Sequence, residues 1–477
     1  MNIYPRQHKT LINVFFSFFV FIFILSCNSD DNTVSEIEEE LEQEQEQEQE
    51  EEHVIAPEDR LPQITINTNG GTIVDEPKID SEIIISIADE VAYRGNIGIE
   101  IRGASSQMFP KKAYGLETRD ENNEDIDVSL LGMPEEEDWI LYAPYSDKSL
   151  MRNLLIYNLS RDMDRYASRS VFVDLTVNDQ YQGVYVFMEK LKRDGERIDI
   201  NKLKEDENSG EDVTGGYILK IDKIAGSNLG EGYNELNSFT SQHDPLSAII
   251  GKEINFLYEY PDAEDITTEQ KTYISTYVAD FENALASNDF TDESLGYAPY
   301  IDVDSFIDFF LLNELSNNVD GYRLSTYIQK DKNEKLKMGP IWDFNLGFGN
   351  ADYCDGGSTS VWAYKFNERC PDDFWQVPFW WNRLLQDPVY VAKLKDRWSV
   401  LRGSTLSESS ILGKIDTYND ALENAGSIDQ NFNTWNVLGT YVWPNSFVGN
   451  TYNEEIDYLK NWVEDRLMWM DTEINSL

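Results

Sequence analysis

The chain is 477 residues long and carries 88 acidic against 39 basic residues, a formal net charge of −49 at neutral pH. That excess excludes a general basic surface for nucleic-acid phosphates or anionic lipid; a phosphate ligand must meet a local cluster, and residues 102–204 hold 15 of the 39 basic residues. Three histidines and three cysteines argue against His-ligated zinc, Ser-His-Asp hydrolysis or a His-activated thiol, and leave carboxylate and metal chemistry for any catalysis.

Residues 1–26 read as an export signal. Arg6 and Lys9 precede an apolar run over 11–25 that is too short to span a bilayer. Ile24-Leu25-Ser26-Cys27 resembles a bacterial lipobox, which would make Cys27 the lipidated first residue of the mature chain; an uncleaved anchor is the alternative. Residues 27–61 form an acidic tether, with eleven Glu among the seventeen residues 36–52. Such a tract buries no core and repels itself. An acidic run directly behind the cysteine also resembles the surface-export signal of Bacteroidetes lipoproteins. The expectation is an exported, membrane-anchored lipoprotein at the cell surface, on the outer membrane.

Residues 62–101 alternate in strand fashion, with Ile64 and Ile66, then Ile83, Ile85 and Ile87, broken by Asn69-Gly70-Gly71. They read either as a small β layer ahead of the main domain or as its first strands. Further strands are expected at 114–118 and 139–142. Over 149–163 the period changes: Met151, Leu155 and Leu159 recur every four residues behind a capping Asp147, an amphipathic helix. Strands follow at 171–177 and 184–189, and a second helix at 304–316 with Phe306, Phe309, Phe310 and Leu312 on its buried side.

That helix delivers the chain to Asp320. Residues 324–330 and 335–342 then read as two strands joined by the polar turn 331–334. A hairpin returns the chain to its start, so Asp320 and Asp343, 23 residues apart, should lie at one end of it within reach of one ligand. The competing reading is an Asx-turn at Asp320 and a strand-terminating Asp343. Cys354 and Cys370 could bridge in an oxidising exterior and pin the loop between them, or remain buried thiols. From residue 379 on, patterns such as Ile411-Ile415-Tyr418-Leu422 are helical. The whole reads as an α+β protein with a mainly helical C-terminal portion, divided at 62–101, 102–378 and 379–477.

Arg102-Gly103-Ala104-Ser105-Ser106, Pro110-Lys111-Lys112-Ala113-Tyr114, Leu150-Met151-Arg152-Asn153, Gly183-Val184-Tyr185, Glu189-Lys190, Asp320-Gly321-Tyr322 and Trp342-Asp343-Phe344 occur in that order. Together they resemble the spore-coat protein H (CotH) kinase family over about residues 64–350. The resemblance implies an atypical, divergent protein-kinase-like fold that uses ATP and Mg²⁺ or Mn²⁺ to phosphorylate Ser or Thr of a protein acceptor. It implies Asp320 as the catalytic base. Asp343 resembles the Asp-Phe-Gly metal ligand of kinases, with Asn345 in place of the Gly. Where kinases carry an Asn for a second metal, five residues past the base, this chain has Ser325, a weaker ligand for which Asn345 or Asn318 could substitute.

The remaining motif residues are candidates for the nucleotide. Lys111 and Lys112 on one strand point to opposite faces, so only one can reach phosphate; Lys112 is the expected one, against two surface lysines. The loop carrying Arg102, Ser105 and Ser106 could wrap phosphates with its N–H groups, or be an ordinary turn. Arg152, in the first turn of a helix, could meet an anion, or sit on a solvated face. Glu189 could line the adenine or position a lysine, or form a strand-edge salt bridge. Two other functions compete. Trp342, Trp362, Trp375, Trp380 and Trp381 near Asp343 suit a carbohydrate-active or carbohydrate-binding surface lipoprotein, with the two carboxylates as acid and base. A non-catalytic structural or adhesion module on a kinase-like fold is the third.

Overall fold

Residues 55–224 and 231–477 are described in the computed structural model. The expected export signal, Cys27 and the tether as far as residue 54 lie outside the described residues.

Seven strands close into a barrel: β1 (Gln63–Asn67), β2 (Ile79–Ile87), β3 (Glu90–Arg102), β4 (Ala113–Arg119), β5 (Asp138–Tyr142), β6 (Ser170–Val177) and β7 (Gln180–Glu189), in the order β1-β2-β3-β4-β5-β7-β6. All neighbours are antiparallel except the closing pair, where β1 runs parallel to β6 with Gln63 opposite Asp174. The isoleucine alternation of β1 to β3 fills the interior: Ile64, Ile66, Ile83, Ile85, Ile97 and Ile99 are buried there against Trp139 and Phe187. Burial of one face in two sets the register, since a one-residue slip would turn every isoleucine outward. Residues 62–101 are therefore not a separate layer, and the expected boundary between 101 and 102 falls inside β3. The separator expected at 178–183 shrinks to a two-residue turn, Asn178-Asp179, both at positive φ (49° and 61°), as primed hairpin turns require.

A second, antiparallel sheet follows, β8 (Tyr217–Ile221), β9 (Ser238–Thr240), β10 (Asn255–Tyr260), β11 (Thr326–Lys330) and β12 (Leu336–Met338), ordered β12-β11-β8-β10-β9. Helices pack around it: α1 (Arg152–Asp162), α2 (Thr268–Ala286), α3 (Val303–Ser316), α4 (Pro388–Arg402), α5 (Glu408–Asn424), α6 (Ser427–Thr434) and α7 (Tyr452–Ser476). Helix α3 is buried all round rather than on one side, from Ser305 to Ser316. A helix buried on every face belongs in the centre of a core, and α3, its Asp308 and Glu314 paired with Arg397 and Arg466, threads between the sheet and the C-terminal helices in the largest apolar cluster. The C-terminal portion is helical, as the apolar spacing indicates. Residues 379–477 share that cluster with α1 and the second sheet, so barrel, sheet and helices belong to one folded unit, 55–477.

Candidate functional site

Asp320 is placed by the end of α3. The helix stops where Asn317 turns left-handed (φ 44°), and the Asn317 side chain donates to the carbonyls of Asp355 and Ser358, both at 3.0 Å. The Asx-turn here belongs to Asn318, whose Oδ1 accepts from the Asp320 N–H at 3.2 Å. Gly321 is required by close approach: a Cβ there would lie 2.3 Å from Asn313 Oδ1. Arg323 then folds back, and its Nη2 donates to Asp320 Oδ1 at 2.9 Å. The Tyr353 hydroxyl donates to the same oxygen at 3.4 Å.

The β11–β12 hairpin brings the chain back, with Ile328 opposite Met338. Asp343 sits beyond it in the left-handed region (φ 61°), a cost of about 1–3 kcal/mol for a non-glycine residue, tolerated when the surroundings over-determine it. Helix α1 supplies that determination. The Asp343 N–H donates to the Tyr157 hydroxyl at 3.0 Å and the Phe344 N–H to Asn153 Oδ1 at 2.8 Å. Tyr157 stacks on Trp342 with centroids 6.0 Å apart, and the Arg102 guanidinium lies 5.8 Å from the Trp342 ring centroid.

Asp320 and Asp343 line one cavity of about 460 Å³, within the range of small-molecule sites. Its apolar wall comes from the barrel, with Ile101, Ala113, Ile140 and Met188. Its polar wall comes from Arg102 at the end of β3 and from the second sheet and the loops: Lys220, Asp222, Lys223, Ser105, Ser106, Ser325 and Asn345. Burial, then the charges of Asp320 and Asp222, push the Asp343 carboxyl up to about 7, against the pull of Lys223 and Arg102. Among the described residues none donates a hydrogen bond to the Asp343 carboxylate oxygens.

Asp222 is the functional candidate that sequence reasoning missed. It follows β8, and the pairing of Ile221 with Thr326 sets it beside Ser325, whose hydroxyl lies 3.4 Å from Asp222 Oδ2. Beside Ser325, expected from the sequence as a weak ligand, the structure thus sets a carboxylate from the neighbouring strand. Burial raises the Asp222 carboxyl, Lys220 opposes it and Asp320 adds to it. Lys220 was missed too. It pairs with Glu259 at 3.0 Å; burial alone would lower its pKa, but Tyr327, Glu259 and Asp222 outweigh it and hold the ammonium charged. The available signal was local: Lys220-Ile221-Asp222-Lys223 sets three charges at the end of an apolar strand.

Four expected nucleotide contacts lie elsewhere. Lys111 is buried, and its Nζ donates to the Val184 carbonyl at 2.6 Å and to Asn431 Oδ1 at 2.9 Å, tying the barrel to α6. Lys112 does not line the cavity either; its Nζ donates to the Gln107 carbonyl at 2.5 Å and braces the 102–108 loop from behind. Arg152 is buried against Asp147 at 2.5 Å, on the core side of α1. Its neighbour Asn153 is the residue of that motif that reaches the cavity. Asp147 does serve the helix start: its Oδ2 accepts from the Arg152 N–H at 2.9 Å. Glu189 is buried in an ion pair with Arg169 at 2.7 Å and also takes a bond from Tyr166. What packs opposite each motif residue sets its partner: Asn431 of α6 for Lys111, the Gln107 carbonyl for Lys112, Asp147 for Arg152 and Arg169 for Glu189.

Gly183 in the Gly183-Val184-Tyr185 motif is structural as well. At φ 98° it lets α6 approach so closely that a Cβ would lie 2.5 Å from Asn431 Oδ1. Cys354 and Cys370 form a disulfide with Cα atoms 5.8 Å apart. Of the tryptophans, Trp362, Trp380 and Trp381 are core, which removes most of the expected sugar platform; Trp342 and Trp443 line the cavity. One other carboxylate group, Asp127, Glu136 and Glu137, brings its oxygens within 4.8 Å of one another, whereas Asp222, Asp320 and Asp343 do not all converge so tightly. The Lys192 ammonium already occupies that group, at 2.9 Å from Glu136 and 2.6 Å from Glu137.

A family model described as CotH kinase protein matches residues 99–470. Comparison with curated proteins gives no match.

Proposed function

The chain belongs to the CotH kinase family, and on that premise we propose that it transfers the γ-phosphoryl group of ATP to a Ser or Thr hydroxyl of a protein acceptor, on an atypical protein-kinase-like fold. The observation that carries this reading is one cavity lined by Asp320, Asp343, Asp222, Lys220, Lys223 and Arg102 together. Phosphoryl transfer asks a protein for little covalent chemistry; it asks for positioned phosphates, neutralised charge and an oriented acceptor.

The cavity's residues divide along those needs. Lys220, Lys223 and Arg102 would hold the phosphates, with the 102–108 loop closing on them. Gly103, at φ 108° with Ser106 Oγ 2.1 Å from where a Cβ would stand, gives that loop the tight crook that exposed N–H groups need. Asp320, fixed by Arg323 and Tyr353, would take the acceptor's proton as its oxygen bonds to the γ-phosphorus and ADP departs. Asp343 and Asp222, with Asn345, are an all-oxygen donor set suited to Mg²⁺ or Mn²⁺. The Asp343 carboxylate, without a donor among the described residues and pressed by negative neighbours, fits a cation's place. A divalent ion bound there would offset the charge building on the phosphoryl oxygens.

We also propose export and lipid anchoring at Cys27, supported by the first 27 residues of the sequence. The direct test is incubation of the pure protein with labelled ATP, Mg²⁺ or Mn²⁺ and candidate protein acceptors. Metal-dependent transfer to Ser or Thr is the expected result. ATP with metal should also raise the melting temperature. Indifference to nucleotide together with stabilisation by oligosaccharide would transfer the site to carbohydrate chemistry.

A further inference from the structure

We infer that the Cys354–Cys370 disulfide sets the position of Asp320, so that turnover depends on the bridge being closed. Among the described residues, both groups that bond the Asp320 carboxylate are tied to it. Tyr353, which donates to Asp320 Oδ1, is the residue before Cys354. Arg323, the other donor, is gripped from beyond Cys370: its Nη1 donates to Asp373 Oδ1 at 3.1 Å and to the Trp375 carbonyl at 3.4 Å. Its guanidinium lies 3.9 Å from the centroid of Phe366, within the bridged loop.

The bridge also locks the two ends to each other. Arg369 Nε donates to the Cys354 carbonyl at 3.1 Å, and Gln376 Nε2 to the carbonyls of Cys370 and Asp373 at 3.1 and 3.0 Å. Asn317, at the end of α3, holds the Asp355 carbonyl on the same loop. Cys354 itself is left-handed (φ 49°), a conformation a non-glycine residue keeps only when its surroundings impose it. Opening the bridge releases Tyr353 on one side and Asp373 on the other, and Asp320 loses the reference frame for its carboxylate. Arg323 and Tyr353 are positioning residues in this scheme, and the cysteines act through them. Displacements of about 1 Å at a reacting group cost on the order of 100-fold in rate.

The inference rests on the kinase reading, and it adds a condition to it. Disulfides persist in oxidising compartments and are reduced in the cytosol, so transfer would be low before export and full after it. Reduction by a trialkylphosphine balances simply: the phosphine gives two electrons to the disulfide, water supplies its oxide oxygen and the two protons, and two thiols result.

The test compares the full chain oxidised, reduced and thiol-alkylated, and, from a separate reduced but unalkylated sample, re-oxidised, beside Tyr353→Phe and the double variant Cys354→Ser/Cys370→Ser. Measured are kcat, KM for ATP, ATP affinity without turnover, and amide exchange over residues 317–324. Expected on opening the bridge is a fall in kcat of about 10- to 100-fold, ATP affinity within about twofold, and faster exchange at 317–324, with kcat restored on re-oxidation. Tyr353→Phe should lower kcat by a smaller factor at unchanged KM. Unchanged kcat in the reduced protein, or loss of kcat and ATP affinity together, would overturn the inference. If the oxidised protein transfers nothing, the kinase reading has failed, and amide exchange alone then decides whether the bridge orders the Asp320 segment.

Discussion

The Asp343 main-chain N–H is satisfied by the Tyr157 hydroxyl, 3.0 Å away on α1. One phenol thus holds a left-handed aspartate in place while its ring stacks on Trp342. Tyr157→Phe keeps the ring and removes the acceptor. Leaving that N–H unsatisfied should cost about 1–3 kcal/mol of stability and lower transfer by roughly tenfold through displacement of Asp343. Denaturant unfolding and steady-state kinetics on the same preparation check both; wild-type kinetics would mean that the Tyr157 hydroxyl does not position Asp343.

Asp320→Asn conserves shape and removes the proposed base. The fold and ATP binding should be unaltered while transfer falls about 10²- to 10⁴-fold. Undiminished turnover in this variant would remove Asp320 from the reaction.

In the metal-free protein, ionised Asp343 is costly. Its carboxyl is raised from 3.8 to about 7 in the fold, so between those values the folded chain keeps a proton that the unfolded chain has released. Stability therefore falls as pH climbs through that window. Asp343→Asn should abolish this fall and match or exceed the wild type at about pH 8. Mg²⁺ should raise the wild-type melting temperature there and leave the variant unmoved; an equal gain in both would place the cation elsewhere.

Lys111 gives the opposite slope at a site remote from the cavity. Burial lowers its ammonium from 10.5 to about 7, with Asp174 opposing. Between those values the unfolded chain holds the extra proton, so this contribution grows with rising pH and is lost as pH falls through about 7. Lys111→Met should erase on the order of 2 kcal/mol of pH-dependent stability between about pH 7 and 9. ATP affinity should stay within about twofold; a larger loss would return Lys111 to the nucleotide site.

Gly321→Ala tests the turn itself. The new methyl would meet Asn313 Oδ1 at 2.3 Å and the Asn318 carbonyl at 3.0 Å in a buried turn, and overpacking of that kind costs about 1–3 kcal/mol. Thermal unfolding should show the loss, with kcat reduced as Asp320 shifts. A neutral substitution would mean the turn has slack.

The sequence was most informative where periodicity and chain return act locally. Alternation at Ile64, Ile66, Ile83 and Ile85 marks strands, and the turn 331–334 between apolar runs brings Asp320 and Asp343 to one cavity without knowledge of the rest. Barrel closure is a different kind of fact. The parallel pairing of Gln63 with Asp174 joins segments over a hundred residues apart, and no local pattern encodes it. The same gap explains Lys111, Arg152 and Glu189. Their motifs are genuine, but whether a motif residue meets ligand or frame depends on which wall lies opposite. Asp222 is the mirror case, an unremarked aspartate whose partner Ser325 is supplied by a neighbouring strand.

The closing strand pair has a practical consequence for how the protein can be cut. The family match begins at residue 99, and a chain trimmed to that limit would lose β1, β2 and most of β3. It would leave β6, the remnant of β3 and the end of β4 with bare main-chain edges, and unpaired edges recruit other molecules into aggregates. Such a fragment should precipitate or associate, whatever the state of the rest of the fold. The boundary of the recognisable sequence and the boundary of the folded unit are different places in this chain.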